Sequence, residues 1–399
     1  MADAAVVQVI DTAVTRRGDG QFMAVFVHGF LDDRHVWDNV VSQLDAPEFE
    51  FVQIDLAGSG ARADTEGPFD YDHFTADVGA VVDHIGKPFV MIGHSMGSAI
   101  AELVAAARPS RAMGLLLLAP VPLAGVGMPA EAIESFGGLG GDKEGQCALR
   151  KQLSAGMPGP ELERIVTAGA QLRPDVVAAL ADCWNGGHPD GVSPSRYAGA
   201  GLVLTGAADP FVTADVVSAG VTSRLPQATT AVVEGAGHWP HMEQASAVAA
   251  QTSEFLERTA AEFLAEAREQ GWTQAFADKT ESSFAEKFTE DVVLEASALQ
   301  RPAEGRDLVK VILATASGIY ESLTFTHEAS HGSRTYLEWE ATAFGGLKLF
   351  GITVLSKNED GKIARAAIHH RPLGALQKFS GELRQRLDGT VDSSYFHGD

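Results

Sequence analysis

Runs of apolar residues recur through the first two-thirds of the chain at Phe22–Val27, Phe89–Ile92, Met113–Leu118 and Gly201–Thr205, with a further strand at Phe49–Asp55 and a short last one at Ala231–Glu234. A run with no polar alternation is the mark of a strand covered on both faces. Helical spacing fills the intervals: Trp37, Val40, Val41 and Leu44 after the first run, the amphipathic stretch Tyr71–Ile85, and the small and apolar residues from Met96 onward. Residues 5–16 alternate and read as an edge strand. Strands and helices taking turns at this interval predict an α/β fold, a mostly parallel sheet with helices on both faces. Between Pro120 and Tyr197 the rhythm breaks into short helical pieces among dense Gly and Pro. Such an excursion between two core strands predicts a cap over the carboxyl edge of the sheet, about residues 121–197.

After Ala245 a long helical stretch carries the chain away from this unit. Helices at Gly271–Phe276 and Gly305–Ile312 and a strand entry at Phe288–Glu295 come next. Four strands then follow at Leu323–Ala329, Thr335–Phe344, Leu347–Lys357 and Ile363–His369, with a hairpin turn at Asn358–Gly361. Helices followed by antiparallel strands predict a separate α+β unit. The expected organisation is a first domain over 1–258, a connecting helix over 259–269, a second domain over 270–387, and a tail over 388–399 that is ordered only if it docks.

A length of 399 residues agrees with two cores. The net charge of −23 and the lack of any basic cluster argue against nucleic acid and anionic membrane as partners. Cys147 and Cys183 are the two cysteines, and neither has a second Cys or a His at metal-ligand spacing. The first ten residues lack a charged n-region and a long apolar core, and no apolar run approaches the roughly 20 residues of a membrane span. The expectation is a soluble, cytoplasmic protein without metal or cofactor.

Candidate chemistry gathers at the ends of the strands. Gly93-His94-Ser95-Met96-Gly97 places a serine between an apolar strand and a helix, with a glycine two positions to either side. A serine hydroxyl needs a base, and the base needs an acid to fix its tautomer. Asp209 lies just past the Leu202–Thr205 run, and His238 just past Val232–Glu234, within Gly235-Ala236-Gly237-His238. Each has a plainer reading alone: Asp209 before Pro210 suits a turn, and His238 suits an exposed loop, with His241 as a competitor. The order serine, acid, histidine at successive strand ends favours a triad. The backbone N–H groups of Met96 and Phe30 are candidates to hold an oxyanion. His28 reads as a turn-stabilising side chain and His94 as a packing residue. Phe136, Trp184 and Trp239 are candidate substrate-pocket residues.

Taken together, His28-Gly29-Phe30, Asp55-Leu56-Ala57-Gly58-Ser59-Gly60, Gly93-His94-Ser95-Met96-Gly97, Asp209 and Gly237-His238 make residues 1 to about 258 resemble an α/β-hydrolase. The resemblance implies hydrolysis by Ser95, His238 and Asp209. A serine at position 95, where dehalogenases and epoxide hydrolases of this fold carry Asp, argues against both chemistries. It leaves a carboxylic ester or lactone as the expected small-molecule substrate. Alternatives are amide or C–C bond hydrolysis, or a cofactor-free perhydrolase (haloperoxidase) with the same triad.

Residues 270 to about 378 resemble the SnoaL-like superfamily, a cone-shaped α+β fold, through Asp291-Val292-Val293, Gly305-Arg306-Asp307, Asp360-Gly361-Lys362-Ile363 and Arg371-Pro372-Leu373. That resemblance implies an apolar pocket or a dimerisation surface. One of each adjacent pair, Trp339/Glu340 and His369/His370, should face any cavity. The expected role is non-catalytic: homodimerisation, or shaping the substrate entrance. The alternative is a ligand-binding or cyclase-type protein acting through this second domain.

Overall fold

The structure is a computed structural model that describes residue 9 and residues 12–268, 271–331, 333–358 and 361–397. It separates into two compact units, Met1–Glu262 and Phe263–Asp399.

Seven strands form the sheet of the first unit: β1 (Val14–Arg17), β2 (Phe22–Val27), β3 (Phe49–Ile54), β4 (Phe89–His94), β5 (Ala112–Leu118), β6 (Ala200–Gly206) and β7 (Ala228–Val233). They lie in the order β1-β3-β2-β4-β5-β6-β7, with β1 antiparallel to β3 and every other pair parallel. The apolar runs are the inner strands, and β2, β3 and β4 are buried along their whole length. The edges differ from the sequence reading. At one edge only Val14–Arg17 runs beside β3, so the expected strand over 5–16 shrinks to its end, and residues 1–8, 10 and 11 lie outside the described residues. At the other edge β7 starts at Ala228, because Thr229 and Thr230 are exposed there and carry no apolar signal.

Helix α1 (Tyr71–Ile85) is delimited by local chemistry. The Asp70 side chain accepts from the N–H of His73 at its start, and Gly86, with φ 77°, ends it. Tyr71, Phe74, Val78, Val81 and Val82 form its buried face. Helix α2 (Met96–Ala106) follows the serine directly and is buried almost throughout, which its Ala, Gly and Ser content permits. A Cβ on Gly97 would be driven into the carbonyl oxygens of His28 and Val27, so this glycine sets how closely α2 approaches β2. Between β5 and β6 four helices leave the sheet: α3 (Ala130–Gly137), α4 (Lys143–Leu153), α5 (Gly159–Gly169) and α6 (Pro174–Gly186). Helix α7 (Ala245–Arg268) closes the unit and runs past its boundary.

The second unit holds α8 (Gly271–Asp278), α9 (Glu281–Ala285), β8 (Phe288–Ala296), β9 (Ala303–Glu304), α10 (Arg306–Ser317), β10 (Ser322–His331), β11 (Arg334–Ala343), β12 (Leu347–Lys357), β13 (Ile363–Arg371) and α11 (Leu373–Arg386). The sheet order is β10-β11-β12-β13-β8-β9, mixed because β13 and β8 are parallel. The expected hairpin turn at 358–361 joins β12 to β13, although Glu359 and Asp360 lie outside the described residues. The C-terminal tail docks: Phe396 is buried and bridges to Leu299. No helix among the described residues is long and apolar enough to cross a membrane.

Because the atoms facing Gly97 are backbone and cannot rotate away, Gly97→Ala is expected to destabilise the first unit by about 1–3 kcal/mol. A lowered midpoint in urea denaturation is the measurement that checks it.

Candidate active site

Ser95 sits between β4 and α2 with φ 52° and ψ −119°, a left-handed setting that a side chain rarely adopts. A Cβ on Gly93 would collide with the Gly97 carbonyl, so the tight turn depends on both glycines. The Ser95 N–H donates to Leu118 O at 2.9 Å, and Ser98 Oγ donates to Gly93 O at 2.9 Å, pinning the turn from either side. The serine side chain is thereby held out toward the carboxyl edge of the sheet.

His238 and Asp209 meet it there. His238 Nε2 lies 3.0 Å from Ser95 Oγ, and His238 Nδ1 lies 2.8 Å from Asp209 Oδ2. The acid serves two purposes. Its other oxygen, Oδ1, accepts the N–H groups of Phe211 at 2.8 Å and Val212 at 3.0 Å, so the plain turn role and the contact with histidine coexist on one carboxylate. Burial alone would raise the Asp209 pKa, but the hydrogen bond and charge of His238, together with those two amides, hold it below its ordinary value. Ser95, His238 and Asp209 are 5%, 4% and 7% exposed, so their hydrogen bonds are shielded from competition by bulk water.

The turn after β2 carries the candidate oxyanion donor. A Cβ on Gly29 would sit 2.8 Å from His94 Nδ1 and 3.1 Å from Ser95 Cβ, which places the Gly29–Phe30 turn directly against the serine. Met96 is the first residue of α2, where N–H groups lack intrahelical partners. His28 is buried and ties this turn to the one after β3: its Nε2 accepts the Leu56 N–H at 3.1 Å and lies 2.9 Å from Ser59 Oγ. His94 is buried as well, with Nε2 2.7 Å from His238 O. Burial, followed by the nearby His238, lowers the His94 imidazole to about 3, so it is neutral at ordinary pH. His241 stacks on Trp37 at 4.5 Å behind this site, and neither of its ring nitrogens has a partner among the described residues.

The tentative pocket residues separate into two groups. Phe136 from α3 and Trp184 from α6 pack on Phe30 at 6.4 and 6.0 Å and on one another at 5.2 Å. Phe211, which the sequence reading missed, joins them at 6.2 and 5.8 Å and touches His238 at 5.6 Å. An aromatic two residues beyond the acid was the available signal. The Trp184 indole N–H has no partner among the described residues. Trp239 sits elsewhere, edge-on to His238 at 5.1 Å, with its own N–H donated to Asp32 Oδ2 at 3.0 Å.

Within the second unit, Trp339 and His370 line an apolar cavity with Trp272, Phe276, Tyr320 and Phe379, while Glu340 and His369 are exposed. Among the described residues that line it there is no carboxylate. Tyr320 Oη lies 3.0 Å from His370 Nε2, and His370 Nδ1 lies 3.0 Å from Ser297 Oγ. Burial, with His369 alongside, pushes the His370 imidazole down to about 4. Among the described residues no group of three or more His, Cys, Asp or Glu side chains is placed to hold a metal ion, and Cys147 and Cys183 are both free thiols.

A family model described as "Alpha/beta hydrolase family" matches residues 24–251. The lipase LipV of Mycobacterium tuberculosis is 34% identical over 114 residues, 28% of this chain and 42% of that lipase. A non-heme haloperoxidase of Rhodococcus erythropolis is 31% identical over 121 residues, 28% of this chain and 44% of its own length. The chain thus spans less than half the length of these two curated relatives. A solved esterase from Thermogutta terrifontis superposes with a TM-score of 0.52 at 25% identity, covering 62% of this chain and 93% of that one.

Burial drives the His241 imidazole well below 6.5, as it does that of His94. Below pH 6.5 the unfolded chain therefore takes up protons that the folded chain refuses, so stability falls as pH drops from 6.5 toward the folded values. His241→Phe keeps a ring on Trp37 but removes one such proton. Its urea midpoint is expected to fall less steeply with pH below 6.5 than that of the unsubstituted protein.

Proposed function

The chain belongs to the alpha/beta hydrolase family, and from that premise we propose that it is a serine hydrolase cleaving a carboxylic ester or lactone through an acyl-enzyme on Ser95. The observation that carries the reading is the unbroken relay from Ser95 Oγ through both nitrogens of His238 to Asp209, at 3.0 and 2.8 Å. In this reading His238 Nε2 takes the hydroxyl proton as Ser95 Oγ bonds to the carbonyl carbon. Asp209 keeps the proton on Nδ1 and stabilises the imidazolium that forms. The N–H groups of Phe30 and Met96 hold the oxyanion. The alkoxide leaves with the proton from His238. Water, deprotonated by the same nitrogen, then releases the acyl group and restores the serine.

The rings of Phe30, Phe136, Trp184 and Phe211 beside His238 support an uncharged, largely apolar substrate. The unpartnered Trp184 N–H would suit one hydrogen-bond acceptor on it. We read the second unit as SnoaL-like, supported by its mixed six-stranded sheet and apolar interior. A lining free of carboxylates favours a non-catalytic role for it. Tyr336 and Ile352, exposed on neighbouring strands of its sheet, support a homodimer through this unit. Sedimentation as a monomer at micromolar concentration would remove that assignment.

Ser95→Ala is expected to lower kcat/KM on short p-nitrophenyl esters by at least about a thousandfold and to abolish labelling by a fluorophosphonate probe. Wild-type turnover by this variant refutes the hydrolase mechanism. The partial likeness to a haloperoxidase keeps one second reading, a perhydrolase with the same triad. Acetate- and peroxide-dependent bromination faster than ester hydrolysis would favour it.

A further inference from the structure

Helix α4 buries an unusual face. A cap helix that only covered a cleft would turn apolar side chains inward, yet the buried positions of α4 are Gln146, Arg150 and Leu153. Arg150 is fully enclosed, and so is the carboxylate it meets: Nη1 donates to Asp32 Oδ1 at 2.7 Å. Its other amino group, Nη2, donates to Leu31 O at 2.6 Å, and the guanidinium lies over the Trp239 ring, 5.2 Å from its centroid. Asp32 is occupied on its second oxygen by the Trp239 N–H at 3.0 Å, with His94 Nδ1 3.7 Å away.

Removing both charges from water costs several kcal/mol per ion, and a well-packed apolar pair of similar volume is often at least as stable. Stability alone therefore does not account for this pair; its geometry does more. Leu31 holds φ 63°, a rare setting for a side chain other than glycine's hydrogen. The turn's own backbone bond is a long one, Asp32 N–H to Gly29 O at 3.4 Å. The two-pronged grip on Leu31 O and Asp32 holds one side of this turn, His28 Nδ1, 2.9 Å from Gly29 O, holds the other, and Phe30 lies between them. The same last turn of the helix also grips the base. Leu153 O accepts the His238 N–H at 2.8 Å, and a Cβ on Gly237 would sit 2.8 Å from Ala155 N. Glu243 completes the join, taking the N–H groups of Ala155 and Gly156 on Oε2 at 2.6 and 3.0 Å and that of Gly237 on Oε1 at 3.1 Å. The last turn of one helix thus touches both the oxyanion turn and the base.

We propose that α4 is a fixed brace of the catalytic centre rather than a moving part of the cap, and that Arg150 is a positioning residue acting through the Leu31–Asp32 backbone on the oxyanion donor Phe30. The proposal rests on the hydrolase reading above. It assigns to Arg150 no contact with substrate. Its loss should therefore lower kcat while leaving KM in place, since a turn displaced by an ångström weakens binding of the developing oxyanion and not of the ground state.

Arg150→Met alone would leave the Asp32 carboxylate buried and unpaired, so the test combines it with Asp32→Asn, which retains an oxygen for the Trp239 N–H. In the full-length chain this double variant is expected to unfold near the wild-type urea midpoint. Its kcat on p-nitrophenyl butyrate should fall by about 100-fold with KM changed less than about threefold. Arg150→Lys, a point charge that cannot hold both Asp32 and Leu31 O, should give an intermediate kcat with KM unchanged. Wild-type kcat in the double variant overturns the proposal, as does a raised KM with kcat intact. If the double variant does not fold, Arg150→Lys decides alone: a lowered kcat at constant KM supports the brace, and wild-type kcat overturns it. A wild-type protein that neither hydrolyses the ester nor takes the fluorophosphonate probe sinks the hydrolase reading instead.

Discussion

Ser95 occupies a backbone conformation, φ 52°, that costs on the order of 1–3 kcal/mol for a residue with a side chain. The surrounding packing is what imposes it. Helix α2 can lie close to β2 only because Gly97 has no Cβ, and the chain can reverse from β4 into α2 only because Gly93 has none either. Phe26, Val27, Val90, Met91 and Ile92, all buried in the adjacent strands, supply the apolar burial that holds the pieces together. The serine is in this sense spring-loaded by the core. Loosen either glycine contact and the hydroxyl would swing away from His238, whatever the other residues did.

Much of the rest of the site keeps polar groups dry and paired, with His241 and the Trp184 N–H as exceptions. Asp209 divides its two oxygens between turn amides and imidazole. His28 stitches the turn after β2 to the turn after β3, and Asp32 joins Arg150 to Trp239. In a low-dielectric interior each satisfied hydrogen bond is stiff, and each broken one is expensive. A network of this kind fixes positions to fractions of an ångström, which an apolar core of the same volume would leave softer. On the side of α3 and α6 the balance reverses: Phe30, Phe136, Trp184 and Phe211 meet through ring faces and edges, contacts that can slide without leaving a charge exposed. The result is a stiff polar centre beside an adaptable apolar wall.

The second unit follows the same physical rules with a different result. Its strands alternate, and β11 buries every second residue from Thr335 to Ala343. That pattern sends Trp339 inward and Glu340 outward, just as it separates His370 from His369. Inside, Tyr320, His370 and Ser297 pair with one another, while the Trp272 indole N–H has no partner among the described residues.

The amino-acid order by itself determined the inner strands, the length of α1 from its Asp70 cap to Gly86, the bend at Ser95, and the succession of serine, acid and histidine at strand ends. These are local signals: a strand covered on both faces is mostly apolar, with buried polar residues such as Glu50 and Gln53 held by partners, and a bend this tight must carry glycine. The edges β1 and β7 were less legible, because an edge strand half in water needs no apolar run. Only the tertiary structure decided that Arg150 would be buried, that Asp32 would meet it from 118 residues away, and that Phe211 would close the ring of aromatics on His238. An arginine on an amphipathic helix and an aspartate in a turn look like any solvated pair until the fold removes the water from both. That removal depends on every other residue packed around them, which is why no window of sequence contains it.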